Sequence, residues 1–252
     1  MINETMKRTA RYSEAEKART QSLVELFKDA PIPEDEILAN LGLFINRQNL
    51  TRILWAHELY QKIMPVAGVI MEFGCRWGTN LALFESLRGM YEPYNYSRKI
   101  VGFDTFGGFT ALDEKDASPA GMKPGDYAVS QGYEKYLEKI LDCHELDAPI
   151  SHIKKYQIVK GDAPESLEKY LKDNPETIIA LAYFDMDMYE PTKQCLELIK
   201  DRLTRGSVIG FDELVSADFP GETVALREVL GLDKYKIIRD QRNSLPTYVV
   251  IE

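Results

Sequence analysis

Carboxylates recur at one kind of place in this chain: at or just past the end of an apolar run. Glu72 follows Val66-Ala67-Gly68-Val69-Ile70-Met71, and Asp104 follows Lys99-Ile100-Val101-Gly102-Phe103. Asp162 follows Tyr156-Gln157-Ile158-Val159-Lys160-Gly161, Asp185 and Asp187 follow the apolar run 177–184, and Asp212 and Glu213 follow 206–211. Each run reads as a buried strand, so the acids would gather on one rim of a sheet. Neighbouring carboxylates repel, and such a rim needs cations. A cationic organic ligand would supply one. A hard ion such as Mg²⁺, which favours oxygen ligands, would supply another, with Asp185, Asp212 and Glu213 as the candidate ligands. The plainer reading of any single acid is a helix cap.

The turn after the first run is Glu72-Phe73-Gly74-Cys75-Arg76-Trp77-Gly78, and Thr79 to Leu87 then reads as a helix. Strand, glycine turn and helix form the first half of a nucleotide-binding crossover. Gly74 permits a sharp turn, and Gly78 lets the helix start lie close to the strand or to a ligand. The helix N-terminus offers unpaired N–H groups. Asp104, ending the next strand, is placed to accept both hydroxyls of a ribose. The spacing is Glu-x-Gly-x-x-x-Gly, and Arg76 stands where a dinucleotide fingerprint has glycine. Glu72 would repel a phosphate and suits a cationic ligand. The pattern resembles the S-adenosylmethionine site of class I methyltransferases, the alternative being a strand–turn–helix with no ligand.

The elements that must position these residues follow in chain order. Ser13 with Glu16 matches a capping box, opening a helix to about Phe27. Its Leu23, Val24, Leu26 and Phe27 form an apolar stripe, for packing on the domain or for oligomer contact; a homo-oligomer, a dimer, is expected. Pro31 and Pro33 break it. Residues 34–41 and 47–64 read as helices, with Trp55 and Tyr60 as core and His57 as structural before catalytic. The stretch after Asp104 holds Phe106, Gly107, Gly108, Phe109, Ser118, Pro119, Gly121, Pro124 and Gly125. It is too long and glycine-rich for an ordinary connection and reads as a lid or binding loop, or as a disordered surface loop. Helices are expected at 132–146, 165–172, 191–203 and 221–230, and a closing strand pair at 235–239 and 247–251. Strand–helix alternation from 66 to 212 implies an α/β fold, a mostly parallel sheet of seven strands with helices on both faces. Residues 1–64 read as a helical extension and 65–252 as the catalytic domain.

The totals narrow the partners. The 252 residues are enough for one α/β domain with additions. A net charge of -9, from 31 basic and 40 acidic residues, argues against nucleic acid or an anionic membrane as main partner. Three scattered cysteines, Cys75, Cys143 and Cys195, fit a reducing cytoplasm better than a disulfide framework. Residues 1–20 are polar and charged, unlike a leader peptide, and no apolar run approaches the ~20 residues of a membrane span.

Three segments together resemble a known family. They are Glu72 to Gly78, Asp104-Thr105-Phe106-Gly107-Gly108-Phe109, and Asp185-Met186-Asp187-Met188-Tyr189-Glu190-Pro191-Thr192. The chain is similar over roughly residues 45–252 to the macrocin O-methyltransferase family, class I enzymes of Rossmann-like fold dependent on S-adenosylmethionine and Mg²⁺. The resemblance implies a cofactor site from Glu72, Gly74, Gly78, Asn80, Asp104, Thr105, Phe106, Gly161, Asp162 and Asp185. It implies Mg²⁺ on Asp185, Asp212 and Glu213, and Asp187 as general base. The family often has Asp-Asp where this chain has Asp212-Glu213, and glycine where it has Met186. The implied reaction is O-methylation of a hydroxyl on a sugar or sugar-bearing small molecule, with Phe106, Phe109 and Tyr189 shaping the pocket or simply packing. One alternative is a metal-independent methyltransferase acting on an amine or carboxylate. Others are a nicotinamide dehydrogenase, against which Arg76 argues, and a non-catalytic assembly protein.

Overall fold

The computed structural model describes residues 13–116 and 121–252. Ser118 and Pro119 of the long connection lie outside the described residues, as do residues 1–12, on which part of the leader reading rests. The chain divides between Ile53 and Leu54 into two compact units.

In the first unit, α1 (Glu14–Lys28) opens on the expected capping box. Glu16 N–H donates to Ser13 Oγ at 3.3 Å, and Ser13 N–H donates to Glu16 Oε2 at 2.9 Å. No residue of α1 is buried, and Phe27 meets Phe44 edge-on at 5.0 Å. The helix expected at 34–41 does not form. The segment makes turns closed by i→i+3 bonds, Glu36 N–H to Pro33 O and Asn40 N–H to Ile37 O, then one 3₁₀ turn at Leu41–Leu43. Its Leu38 and Leu43 stay exposed, so no burial offsets the cost of nucleating a short helix there. The helix α2 (Arg47–Ile63) starts in the first unit and ends in the second.

The second unit holds β1 (Val69–Phe73), α3 (Thr79–Tyr91), β2 (Ile100–Asp104), α4 (Tyr133–Asp147), β3 (Tyr156–Lys160), α5 (Ala163–Asp173), β4 (Ile179–Phe184), α6 (Tyr189–Ile199), β5 (Leu203–Phe211), α7 (Gly221–Val229), β6 (Ile238–Arg239) and β7 (Thr247–Val250). They form the expected seven-stranded sheet, in order β3-β2-β1-β4-β5-β7-β6. β3, β2, β1, β4 and β5 run parallel, and β7 is antiparallel to β5 and β6. The closing strand expected over 235–239 shortens to two residues. Trp55, Leu59 and Tyr60 of α2, with α3 and α4, pack on one face. α5, α6 and α7 cover the other. Among the described residues, no helix is long and apolar enough to cross a membrane.

Side-chain alternation then does something specific at the carboxyl end. Phe103, Phe73, Phe184 and Phe211 pair in register across β2, β1, β4 and β5. Their rings stack in one row, with centroids 5.1, 4.8 and 5.3 Å apart. All four are fully buried. The ladder continues one residue further, with Asp185 N–H on Phe73 O at 2.8 Å and Asp212 N–H on Phe184 O at 3.0 Å. Asp185 and Asp212 therefore sit at one height, one residue beyond the aromatic row. Phe184 touches two neighbours of the row, so Phe184→Ala should destabilise the fold by about 3–5 kcal/mol. Urea unfolding measures this, and a loss well under ~1 kcal/mol would contradict the row.

Candidate active site

Strand order reverses on either side of β1, with β2 to one side and β4 to the other. In open α/β sheets the crevice at such a switch point, beyond the carboxyl ends, is where ligands bind. Glu72 is buried there, and Asn80 Nδ2, from the first turn of α3, donates to its Oε1 at 2.8 Å. The chain then passes Gly74 at φ +89, where an added Cβ would lie 2.0 Å from the Asp185 carbonyl oxygen. The loop after β1 thus runs against the backbone that follows β4. Gly78 caps α3 in the left-handed region, and a Cβ there would meet Leu137 of α4 at 2.4 Å. Its small size serves helix packing.

Asp104 organises both loops. Its Oδ2 accepts from Arg76 N–H at 2.7 Å, and its Oδ1 accepts from Phe106 N–H at 2.5 Å. Burial raises its carboxyl above the usual range, against the pull of the Arg76, Phe106 and Cys75 N–H groups. Each carboxylate oxygen retains acceptor capacity beyond these bonds. Arg76 and Phe106 hold left-handed φ of 47° and 57°, so this carboxylate pins two strained turns at once. Thr105 Oγ1 accepts from Gly107 N–H and donates to Gly108 O, both at 3.1 Å, and so closes its own turn. Gly161 N–H pairs with Asp104 O at 3.0 Å, and Asp162, half-buried, is the N-cap of α5 without a side-chain capping bond. Glu72, Gly74, Asn80, Asp104 and Phe106 thus share one corner, with Gly161 and Asp162 on the next strand end.

The second half of the rim lies over β4 and β5. An extended backbone through 185–187 would put Asp185 and Asp187 on one side by alternation. Asp187 instead has φ +61, a conformation that costs a non-glycine residue about 1–3 kcal/mol. The two carboxylates still interact. Burial pushes the Asp187 carboxyl well above its ordinary range, and Asp185, Glu222, Glu213 and Asp212 add to it. Asp212 and Glu213 are buried, and Tyr183 Oη donates to Asp212 Oδ1 at 3.0 Å. Asp187 does not cap the following helix. The N-cap of α6 is Met188, and the Tyr189 N–H goes to Asp116 Oδ1 at 2.7 Å.

Glu222 is the residue that sequence reasoning missed. It is completely buried, and its Oε1 accepts from Met186 N–H at 3.1 Å and Asp187 N–H at 3.3 Å. Burial, then Asp185, lifts its carboxyl well above the usual range. An acid in the first turn of a helix is ordinary there, which hid it. Asp187 Oδ1 and Glu222 Oε2 are buried with no hydrogen-bond partner. Among the described residues, no group of three or more His, Cys, Asp or Glu is arranged to hold a metal ion.

The described residues of the long connection, 105–116 and 121–125, form a strap against this rim. Phe109 N–H pairs with Asp126 O and Gly125 N–H with Phe109 O. Further on, Lys115 Nζ reaches Tyr189 Oη at 2.7 Å and Glu228 Oε1 at 2.9 Å. Phe106, Phe109 and Tyr189 are buried. His57 pairs with Tyr91 Oη at 2.6 Å, at the far end of α3 from the rim. A cavity of about 780 Å³ opens at the amino ends of β4 and β5, lined by Glu168, Ile178, Arg202 and Thr204 among others. None of the candidate residues lines it.

Solved structures share this fold. The chain is similar to the crystal structure of CalS11, calicheamicin methyltransferase, with 44% identity, 95% of this chain and 93% of that one covered, and a TM-score of 0.90. It is similar at 42% identity and TM-score 0.85, over 95% of each chain, to apo CalS11, TDP-rhamnose 3'-O-methyltransferase, an enzyme in calicheamicin biosynthesis. The O-methyltransferase NovP matches in fold, with 14% identity and a TM-score of 0.60 over 93% of this chain and 98% of that one. No family model matches, and neither does any curated protein. Fold and identity together define an S-adenosylmethionine-dependent methyltransferase. The chain belongs to the macrocin O-methyltransferase-like family of class I enzymes.

Gly74 is the joint between the two halves of the rim. A Cβ 2.0 Å from a backbone oxygen forces one loop to move. Gly74→Ala should cost about 1–3 kcal/mol of stability and weaken S-adenosylhomocysteine binding about tenfold or more. Thermal unfolding and calorimetry test it; an alanine variant unchanged in both would contradict the contact.

Proposed function

We propose that this enzyme methylates a hydroxyl group of a sugar or sugar-bearing small molecule. One observation carries the reading: Asp187, buried and with an unpartnered carboxylate oxygen, lies among Asp185, Asp212, Glu213 and Glu222 beside the cofactor corner. The relative described as a TDP-rhamnose 3'-O-methyltransferase supports the sugar class.

S-adenosylmethionine brings a methyl group already activated by its sulfonium. Glu72 faces that cationic ligand, and the Asp104 carboxylate takes the ribose hydroxyls with its remaining acceptor capacity. Gly74, Gly78, Asn80, Thr105, Phe106, Gly161, Asp162 and Asp185 complete the corner. The acceptor is the harder partner, since an alcohol attacks poorly until it loses its proton. Asp187 accepts that proton, helped by a carboxyl whose proton affinity burial has raised. The buried walls hold oxygen and methyl in line and keep water out.

The groups that act on Asp187 are carboxylates, Asp185 half-buried and Asp212, Glu213 and Glu222 buried, and hard oxygens of this kind suit Mg²⁺ in chemistry. Asp185, Asp212 and Glu213 would hold it. When bound it would lower the pKa of the acceptor hydroxyl. A reducing cytoplasm belongs to the same reading, supported by three free cysteines, and so does a homodimer. So does the division into an extension over 1–64 and a methyltransferase domain over 65–252.

EDTA should abolish turnover and excess Mg²⁺ restore it. Full activity in EDTA would instead support the metal-independent reading, with an amine or carboxylate acceptor.

The pair Asp187 and Asp185 separates base from ligand. Asp187→Asn should slow single-turnover methyl transfer on the order of a hundredfold or more, with cofactor affinity and bound metal near wild type. Asp185→Asn should lower metal content together with activity. A fully active Asp187→Asn enzyme would remove the general base.

A further inference from the structure

Asp187 must be held in place. The chemistry proposed for it needs a carboxylate in a fixed position, and its φ of +61, though Asp adopts it more readily than most side chains do, still costs free energy relative to glycine. Such a residue persists only where its surroundings over-determine it. The ladder of the sheet does not reach it, since the bond from Asp185 N–H to Phe73 O is the last one β4 shares with β1. The next two N–H groups, of Met186 and Asp187, both point at Glu222 Oε1.

Successive backbone N–H groups aimed at one point make an anion-binding concavity. Here a side chain of the same protein fills it. Glu222 reaches it from the first turn of α7, where the helix dipole favours a carboxylate. The start of α7 has little freedom. A Cβ on Gly221 would fall 2.4 Å from Asp116 Oδ1 and 2.5 Å from Tyr189 N. Glu222 therefore acts from a fixed base.

We propose that Glu222 is the positioning residue for Asp187: its two backbone hydrogen bonds hold the left-handed turn and so aim the Asp187 carboxylate at the acceptor. The proposal rests on the reading of Asp187 as the group that takes the acceptor proton. It makes the oxygen acceptor of Glu222 the essential feature, whatever its charge.

The test compares Glu222→Ala with Glu222→Gln, whose amide oxygen can still accept both N–H groups. Glu222→Ala should lower kcat about tenfold to a hundredfold through misplacement of Asp187, with S-adenosylhomocysteine affinity by calorimetry within about twofold. Glu222→Gln should restore kcat to within about threefold of wild type. In an Asp187→Asn background, Glu222→Ala should add less than about threefold, since both changes remove one function. If Glu222→Ala does not fold, Glu222→Met takes its place, keeping length and lacking an acceptor, with the same expected loss. Wild-type kcat in Glu222→Ala, a Gln variant as slow as Ala, or additive losses in the double variant would each overturn the role. A fully active Asp187→Asn enzyme would instead mark the failure of the base reading itself; a slow Asp187→Asn beside a wild-type Glu222→Ala would sink only the role of Glu222.

Discussion

A one-residue slip of β1 against β2 or β4 would turn Glu72 toward the opposite face and move Phe73 out of the aromatic row, because side chains alternate along a strand. Register is therefore the constraint on which the rim depends. Phe103, Phe73, Phe184 and Phe211 enforce it, since all four rings stack only when all four strands are aligned. A slipped strand would also place carboxylates in an apolar core, at a cost far above that of a lost contact. The aromatic row and the acids beyond it thus specify each other.

That alignment creates an electrostatic load. Five carboxylates, Asp185, Asp187, Asp212, Glu213 and Glu222, crowd over β4 and β5, and burial penalises the charge of Asp187 and Glu222. The protein partly relieves it by spending backbone and hydroxyl donors: Met186 and Asp187 N–H on Glu222, and Tyr183 Oη on Asp212. The corner around Asp104 is treated differently. There Asp104 is surrounded by N–H groups of its own loops, and Glu72 receives Asn80. Both halves of the rim thus draw on donors from the protein itself, and Asp187 and Glu222 each keep one oxygen without a hydrogen-bond partner.

Much of this is legible in the sequence, and the limits have physical causes. Apolar runs ending in acids are long-range signals of a parallel sheet, because both faces of its strands are buried. That pattern alone assigns Glu72, Asp104, Asp162, Asp185 and Asp212 to strand ends. Gly74 and Gly78 are legible as glycines that something must approach; the fold shows that the approaching groups are Asp185 O and Leu137. Glu222 is not legible, since an acid after Gly221 reads as an ordinary first-turn residue of a helix. The left-handed Asp187 is not legible either, because its backbone strain is set by contacts 35 residues away in sequence. The failed helix at 34–41 is the converse case, where a local pattern lacks the tertiary burial that most helices rely on.

Asp187 precedes α6 by two residues, near the place where an Asp would ordinarily be used as a cap. Had it served that purpose, its carboxylate would be bound to the helix and turned from the rim. Asp116 does the capping instead, from 73 residues away, with its Oδ1 on Tyr189 N–H. Its Oδ2 accepts Asp113 N–H, which shapes the strap that carries it. Capping from outside thus has two consequences. It seats the long connection across the start of α6, and it leaves Asp187 without a structural bond on Oδ1. The same junction brings Gly221 against Tyr189 N and so delivers Glu222 to the Met186–Asp187 turn. Strap, helix start and the Asp187 turn are settled by one set of contacts.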